Sequence, residues 1–171
     1  MNWITHPDTQ KLTHRWRAEE SAILVGTHTV KIDNPSLTVR AVAGKNPLRI
    51  VIDNKLKLAS THKIFNTKAP TLVFNNIKTE QKENIELVQA DLTDLTHDFC
   101  RILYERNIQS VIIEGGANTL QRFIDQNIWD EARVLTGNVY FGEGLPAPKL
   151  GIVPVSESQL GDDNITLYRN A

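Results

Sequence analysis

The sequence predicts an α/β fold of three layers, a mostly parallel sheet flanked by helices, with an antiparallel carboxyl-terminal edge. Three observations carry this. Short apolar runs at 22–26, 48–52, 71–74 and 110–113 have the composition of strands buried on both faces. Stretches of helical period separate some of them. Beyond residue 130 the alternation stops, and strand-like runs follow one another between glycines and prolines. At 171 residues, the chain 1–171 reads as one domain.

In chain order, Thr5-His6-Pro7-Asp8 reads as a helix start. Thr5 can accept from an orphan N–H, Pro7 suits the first turn, and Asp8 complements the dipole. This helix should run to about Glu20, with Leu12 and Trp16 inward one turn apart. The strands 22–26 and 48–52 follow, the second ending at Asp53, then 71–74. Leu95, Phe99, Ile102 and Leu103 mark one face of a helix over 94–106. After strand 110–113 another helix follows Gly116, with Leu120, Phe123 and Ile124 inward. Strands are expected at 131–136, 139–141 and 165–169, and polar loops at 44–47 and 78–84. The charges of 78–83 read as a solvated face, His28 as a loop residue and Cys100 as a core filler.

Composition excludes several function classes. Nineteen basic against twenty acidic side chains offer no field to hold a polyanion, so nucleic acid is not an expected partner. No apolar run reaches the ~18–20 residues of a membrane span, and the amino end lacks signal-peptide organisation. A single cysteine excludes an internal disulfide and fits a reducing, cytoplasmic setting. The five histidines form no HExxH pair, and no metal site is expected.

Ligands of open parallel sheets bind beyond the carboxyl ends of the strands. Those ends lead into Gly26-Thr27-His28-Thr29, Asp53-Asn54-Lys55 and Glu114-Gly115-Gly116-Ala117-Asn118-Thr119. We therefore expect Gly26, Asp53 and Glu114 at one rim. The two glycines before a helix suit an anion held by N–H groups and the dipole, or simply a tight turn. Glu114, after three apolar residues, could bind a substrate hydroxyl or amine, or tether a loop. In Asp33-Asn34-Pro35-Ser36-Leu37-Thr38-Val39-Arg40, the Asn-Pro pair makes a turn. Asp33 and Arg40 at its ends could hold a polyol phosphate or form a solvated ion pair. Arg17 lies on the polar side of the first helix, and Trp3 could cover the core or a cofactor ring.

Together, Trp3-Ile4-Thr5, Arg15-Trp16-Arg17-Ala18-Glu19, Val25-Gly26-Thr27-His28-Thr29-Val30, the 33–40 turn, 47–53 and Ile113-Glu114-Gly115-Gly116-Ala117 carry a resemblance. The chain resembles the reductase domain of the bifunctional riboflavin-biosynthesis deaminase/reductase, whose fold is like that of dihydrofolate reductase. The resemblance covers nearly the whole chain. It implies NADPH-dependent reduction of 5-amino-6-(5-phosphoribosylamino)uracil, the ribose becoming a ribityl chain. It implies cofactor contacts at Trp3, Gly26, Thr29, Asp33, Asn54, Gly115, Gly116, Ala117, Asn118 and Thr119. Substrate contacts are implied at Arg17, Ser36, Leu37, Arg40 and Glu114, with Asp33 and Glu114 closest to turnover. Lys55 or Lys57 could meet a 2′-phosphate. The family domain begins with one more strand, and the deaminase signature is absent here. The chain is thus expected to be the carboxyl-terminal part of a two-domain enzyme, truncated by that strand, with an open sheet edge. A homodimer or higher homo-oligomer, with a deaminase domain in the parent chain, is the implied assembly. Other readings are a pterin or other small-molecule reductase, and a non-catalytic NADP-binding or oligomerisation domain.

Overall fold

A computed structural model describes residues 4–140 and 142–170, apart from the side chain of Thr96. The chain runs through helix α1 (Pro7–Glu19), strand β1 (Ala22–Gly26), helix α2 (Thr27–Asp33) and strands β2 (Leu48–Ile52) and β3 (Thr71–Asn75). Strands β4 (Glu80–Lys82) and β5 (Ile85–Gln89) precede a π turn, Leu95–Phe99, that passes into helix α3 (Cys100–Glu105). Strand β6 (Val111–Ile113) and helix α4 (Ala117–Asp125) follow. Strands β7 (Glu131–Thr136), β8 (Ser156–Leu160) and β9 (Asp163–Arg169) close the chain.

The main sheet has the order β4-β5-β3-β2-β1-β6 and is parallel except for β4. The chain steps outward from β1 through β2 and β3 to β5, then returns to place β6 on the other side of β1. The pleat sends alternate residues of these strands to opposite faces. Leu24, Ile50, Leu72 and Phe74 form one core with Leu95, Phe99, Ile102, Leu103 and Phe123. There the Phe99 ring sits 5.0 Å from Phe74 and 5.3 Å from Phe123. Ile23, Val25 and Val51 form the other core with Val30, Leu37 and Ile64. Apolar cover on both faces is why β1 and β3 are wholly buried. Cys100 packs against the first core as a filler, and burial pushes its thiol up. Two of the three strands expected near the carboxyl end are present, as β7 and β9, but they pair with the unexpected β8 in a separate antiparallel sheet, β7-β9-β8, and not at an edge of the main one.

Several expectations need correction. The first helix is capped by His6, whose ring Nδ1 accepts from the Asp8 N–H at 3.3 Å, and not by Thr5. Its buried residues are Thr9 and His14, while Leu12 and Trp16 are half-buried. This helix backs polar groups, and Trp16 instead lies under the Arg133 guanidinium, 4.7 Å from ring centre to Cζ. His28 belongs to a helix: α2 begins directly at the end of β1, with Gly26 as its cap residue. The expected 78–84 loop contains β4, and Glu80 pairs with Lys78 (2.7 Å) and Lys82 (3.1 Å). Within the expected strand at 139–141, Val139 and Tyr140 are exposed and irregular, and Phe141 lies outside the described residues. Strand β6 is half-buried, not doubly buried, because among the described residues only β1 pairs with it.

Candidate functional site

Gly26, Asp53 and Glu114 do emerge at one rim. In register, Gly26 lies beside Ile52, and Leu24 beside Ile113. The Glu114 N–H then donates to the Leu24 carbonyl at 3.0 Å. The reversal of strand order across β1 makes the crevice between the ends of β1 and β6 a topological switch point, where open α/β sheets bind ligands.

Asp53 is nearly buried and fixes the rim. Its Oδ2 accepts from the Leu58 N–H at 2.9 Å, and its Oδ1 from the Thr27 hydroxyl at 3.2 Å, which also reaches the Ile52 carbonyl at 2.7 Å. Asn54 follows on an exposed turn, its carbonyl accepting from the Asn76 N–H at 3.2 Å. Beyond Asn76 lies an open polar hollow of about 400 Å³ lined by Gln89, Ala90, Asp91 and Asp98.

Three glycines bring β1, α2 and α4 together. A Cβ on Gly26 would collide with the Thr119 hydroxyl. One on Gly115 would stand 2.8 Å from Val25 Cγ1 and 3.2 Å from the Thr29 hydroxyl, and one on Gly116 3.0 Å from that same hydroxyl. Gly116 has φ +68, which a side chain would strain. It caps α4 with no side-chain hydrogen bond, so among the described residues the first-turn amides of Ala117 and Asn118 have no side-chain acceptor. A glycine cradle at an uncapped helix start is a chemical match for a dinucleotide pyrophosphate.

On the other side of Glu114 stands α1. The Arg17 guanidinium donates from Nε to Glu114 Oε1 at 2.6 Å and from Nη2 to Oε2 at 2.5 Å. Both side chains are largely buried, 15% and 20% exposed. A bidentate pair in such surroundings is both charge-assisted and geometrically defined. Arg17 is therefore not a solvated residue, and Glu114 has found its donor. The Nη1 nitrogen of Arg17 has no partner among the described residues. His14, one turn earlier, accepts the main-chain N–H of Arg40 on Nδ1 at 3.2 Å. Burial, then the Arg17 and Arg40 cations, hold the His14 ring below the usual histidine value, while Glu114 pulls the other way.

The 33–40 turn supplies the last wall. Asp33 ends α2 exposed, and among the described residues it makes no ion pair with Arg40, which is also exposed. Asn34 (φ 42) and Leu37 (φ 50) are left-handed. Leu37 keeps its side chain in the core, 4% exposed, so the strained backbone is what this residue presents locally. The Ser36 carbonyl accepts from the buried Arg49 guanidinium at 3.5 Å. Trp3 lies outside the described residues. The sequence reading missed His14 and Thr27; a histidine at i−3 from Arg17 was the signal for the first, since that spacing shares a helix face.

The fold is α/β and of the dihydrofolate-reductase-like kind. The structure of Enterococcus faecalis dihydrofolate reductase complexed with NADP(H) superposes with a TM-score of 0.53 at 12% identity, over 99% of this chain and 86% of that one, a likeness of fold alone. The diaminohydroxyphosphoribosylaminopyrimidine deaminase/5-amino-6-(5-phosphoribosylamino)uracil reductase of Thermotoga maritima superposes with a TM-score of 0.85 at 29% identity, over 99% of this chain and 50% of that one. The riboflavin biosynthesis protein RibD of Aquifex aeolicus is 32% identical, over 98% of this chain and 51% of that protein. The 2,5-diamino-6-ribosylamino-4(3H)-pyrimidinone 5′-phosphate reductase of Archaeoglobus fulgidus is 31% identical, over 81% of this chain and 71% of that protein. The family model of the RibD C-terminal domain matches residues 1–161, and the chain belongs to that family. It spans about half the length of the RibD relatives it matches. No helix among the described residues is long and apolar enough to cross a membrane.

Proposed function

We propose that the chain reduces the ribose side chain of 5-amino-6-(5-phosphoribosylamino)uracil to the ribitylamino form, with NADPH as reductant. One observation carries the reading: a glycine cradle at an uncapped helix start and a carboxylate–guanidinium pair share the crevice between β1 and β6. The cradle suits the cofactor pyrophosphate, flanked by Gly26, Thr29, Ala117, Asn118 and Thr119, with Asn54, Lys55 and Lys57 on the next rim turn. NADPH held there would supply a hydride for the sugar carbon.

The chain's own residues bind, orient and move protons. Arg17, aimed by Glu114, offers Nη1 to the sugar phosphate, and Arg40 offers the second guanidinium. The left-handed backbone at Leu37, next to Ser36, shapes the wall against the ribityl chain. Opening of the aminol breaks the bond from C1′ to the ring oxygen, and the amine proton moves to that oxygen. The resulting imine carbon takes the hydride and its nitrogen takes a proton. Asp33, or a water it holds, delivers that proton.

A second reading has the same chemistry on the 2,5-diamino pyrimidinone, the substrate in the name of the Archaeoglobus relative. The proposal includes a deaminase domain in the parent chain, cytoplasmic location and self-association. The last is supported by apolar side chains left open at Tyr140, Leu145 and Val153. The test follows NADPH oxidation with either pyrimidine phosphate and with a dihydropterin. Oxidation with a pyrimidine phosphate alone is expected, and the preferred one identifies the substrate. Asp33→Asn should cut turnover about a hundredfold with NADPH affinity held. Full turnover in that variant removes Asp33 from the proton path, and NADPH binding without oxidation of any substrate rejects the enzyme reading.

A further inference from the structure

We propose that His14 is a positioning residue: its neutral imidazole ties the backbone of Arg40 to α1 and so fixes Arg40 relative to Arg17 and the sugar phosphate. The inference deepens the proposed function and rests on the reading that both arginines take the phosphate.

The geometry is specific. His14 is 5% exposed, sits one helical turn before Arg17, and accepts the Arg40 N–H on Nδ1 at 3.2 Å, across 26 residues of sequence. Arg17 is fixed at its own end by Glu114. One hydrogen bond therefore connects the two cation positions through the helix that carries the first. The chain after Arg40 is close behind: a Cβ on Gly44 would stand 2.5 Å from that of Ala18 on α1. Accepting on Nδ1 requires that nitrogen to carry no proton, so an imidazolium cannot make this tie. The charged groups facing the ring are Arg17 on its own helix, Arg40 from the loop and Glu114 from the end of β6. Burial, then the two cations, favour the neutral ring; Glu114 opposes them.

Two variants separate positioning from packing. H14L fills volume without an acceptor, and H14N places its side-chain oxygen near the Nδ1 position. H14L should raise KM for the pyrimidine sugar phosphate about tenfold, the scale of one lost hydrogen bond, with kcat and NADPH affinity held. H14N should restore most of the KM. Protection of the Arg40 amide against hydrogen exchange, taken relative to its intrinsic rate at each pH, should fall in H14L, and in the wild type on acidification, but not on acidification of H14N. An unchanged KM in H14L, or Arg40 exchange equally slow in H14L and wild type, overturns the proposal. Equal loss of kcat and KM in both variants also overturns it, as the mark of a merely structural site. If the wild type reduces no pyrimidine sugar phosphate, the functional reading falls, and binding of inorganic phosphate decides the inference separately. Affinity lower in H14L than in wild type and H14N supports it, and equal affinity overturns it.

Discussion

Arg49 shows how single residues shape this rim from below. It is fully buried on β2 and meets carbonyls instead of a carboxylate. It donates to the carbonyls of Ser36, Lys63, Asn66 and Ala69 and to Asn66 Oδ1. Burial pulls the guanidinium down to about 10, which leaves it charged at neutral pH. Replacing a buried charge by an apolar chain can be neutral when its partner goes too. Here the partners are backbone and stay, so the orphaned carbonyls decide the sign. Arg49→Met should cost on the order of 3 kcal/mol in urea unfolding. An unchanged midpoint means that water reaches those carbonyls when the guanidinium leaves. None of this was legible beforehand, since Leu-Arg-Ile-Val-Ile reads as a strand whichever way Arg49 points.

At the scale of elements, legibility followed burial. Strands β1, β2 and β3 were readable because both faces are covered, so their sequences are nearly uniform apolar runs. Helix α2 was not, because Thr-His-Thr-Val-Lys-Ile-Asp is rich in β-branched residues of poor helix propensity. It forms because its start abuts the end of β1 and Val30 is buried against that core. Strand β8, Ser-Glu-Ser-Gln-Leu, and strand β4, Glu-Gln-Lys, exist through pairing alone, with no apolar signature to find. The rim, by contrast, was legible as chemistry, because glycines and acids after apolar runs mark strand ends. What stayed hidden was the partnering: Arg17 with Glu114 spans 97 residues. The glycine turn before α4 yields a prediction at this scale. Gly116→Ala forces a side chain to φ +68 and 3.0 Å from the Thr29 hydroxyl. It should cost about 1–2 kcal/mol in urea unfolding and weaken NADPH binding severalfold, measured by titration, with Thr29→Ala relieving part of the contact. Unaltered NADPH affinity removes the turn from the cofactor site.

At the scale of the whole molecule, the described residues form two sheets with no shared strand, and α1 is one of the ties between them. Its cap residue His6 donates its N–H to Asp163 Oδ2 on β9 at 2.7 Å, across 157 residues. Asp163 is 2% exposed, and Gly161 in the preceding turn leaves just enough room for the His6 ring. Further along α1, Arg133 of β7 stacks on Trp16 and reaches Glu20 at 3.8 Å. The antiparallel sheet thus grips the helix on which His14 and Arg17 stand, while the glycine cradle hangs from β1 and α4. The two halves of the site have separate supports, and a defect in one support should show in one ligand. Asp163→Ala removes a charged acceptor and strands a helix-cap N–H, which should cost about 2 kcal/mol in urea unfolding. The start of α1 should loosen, so KM for the sugar phosphate rises while NADPH affinity holds. Asp163→Asn keeps an acceptor at the same place and should lose only part of the stability. Parallel loss of both affinities in Asp163→Ala would show instead that the two halves are held by a single cooperative frame.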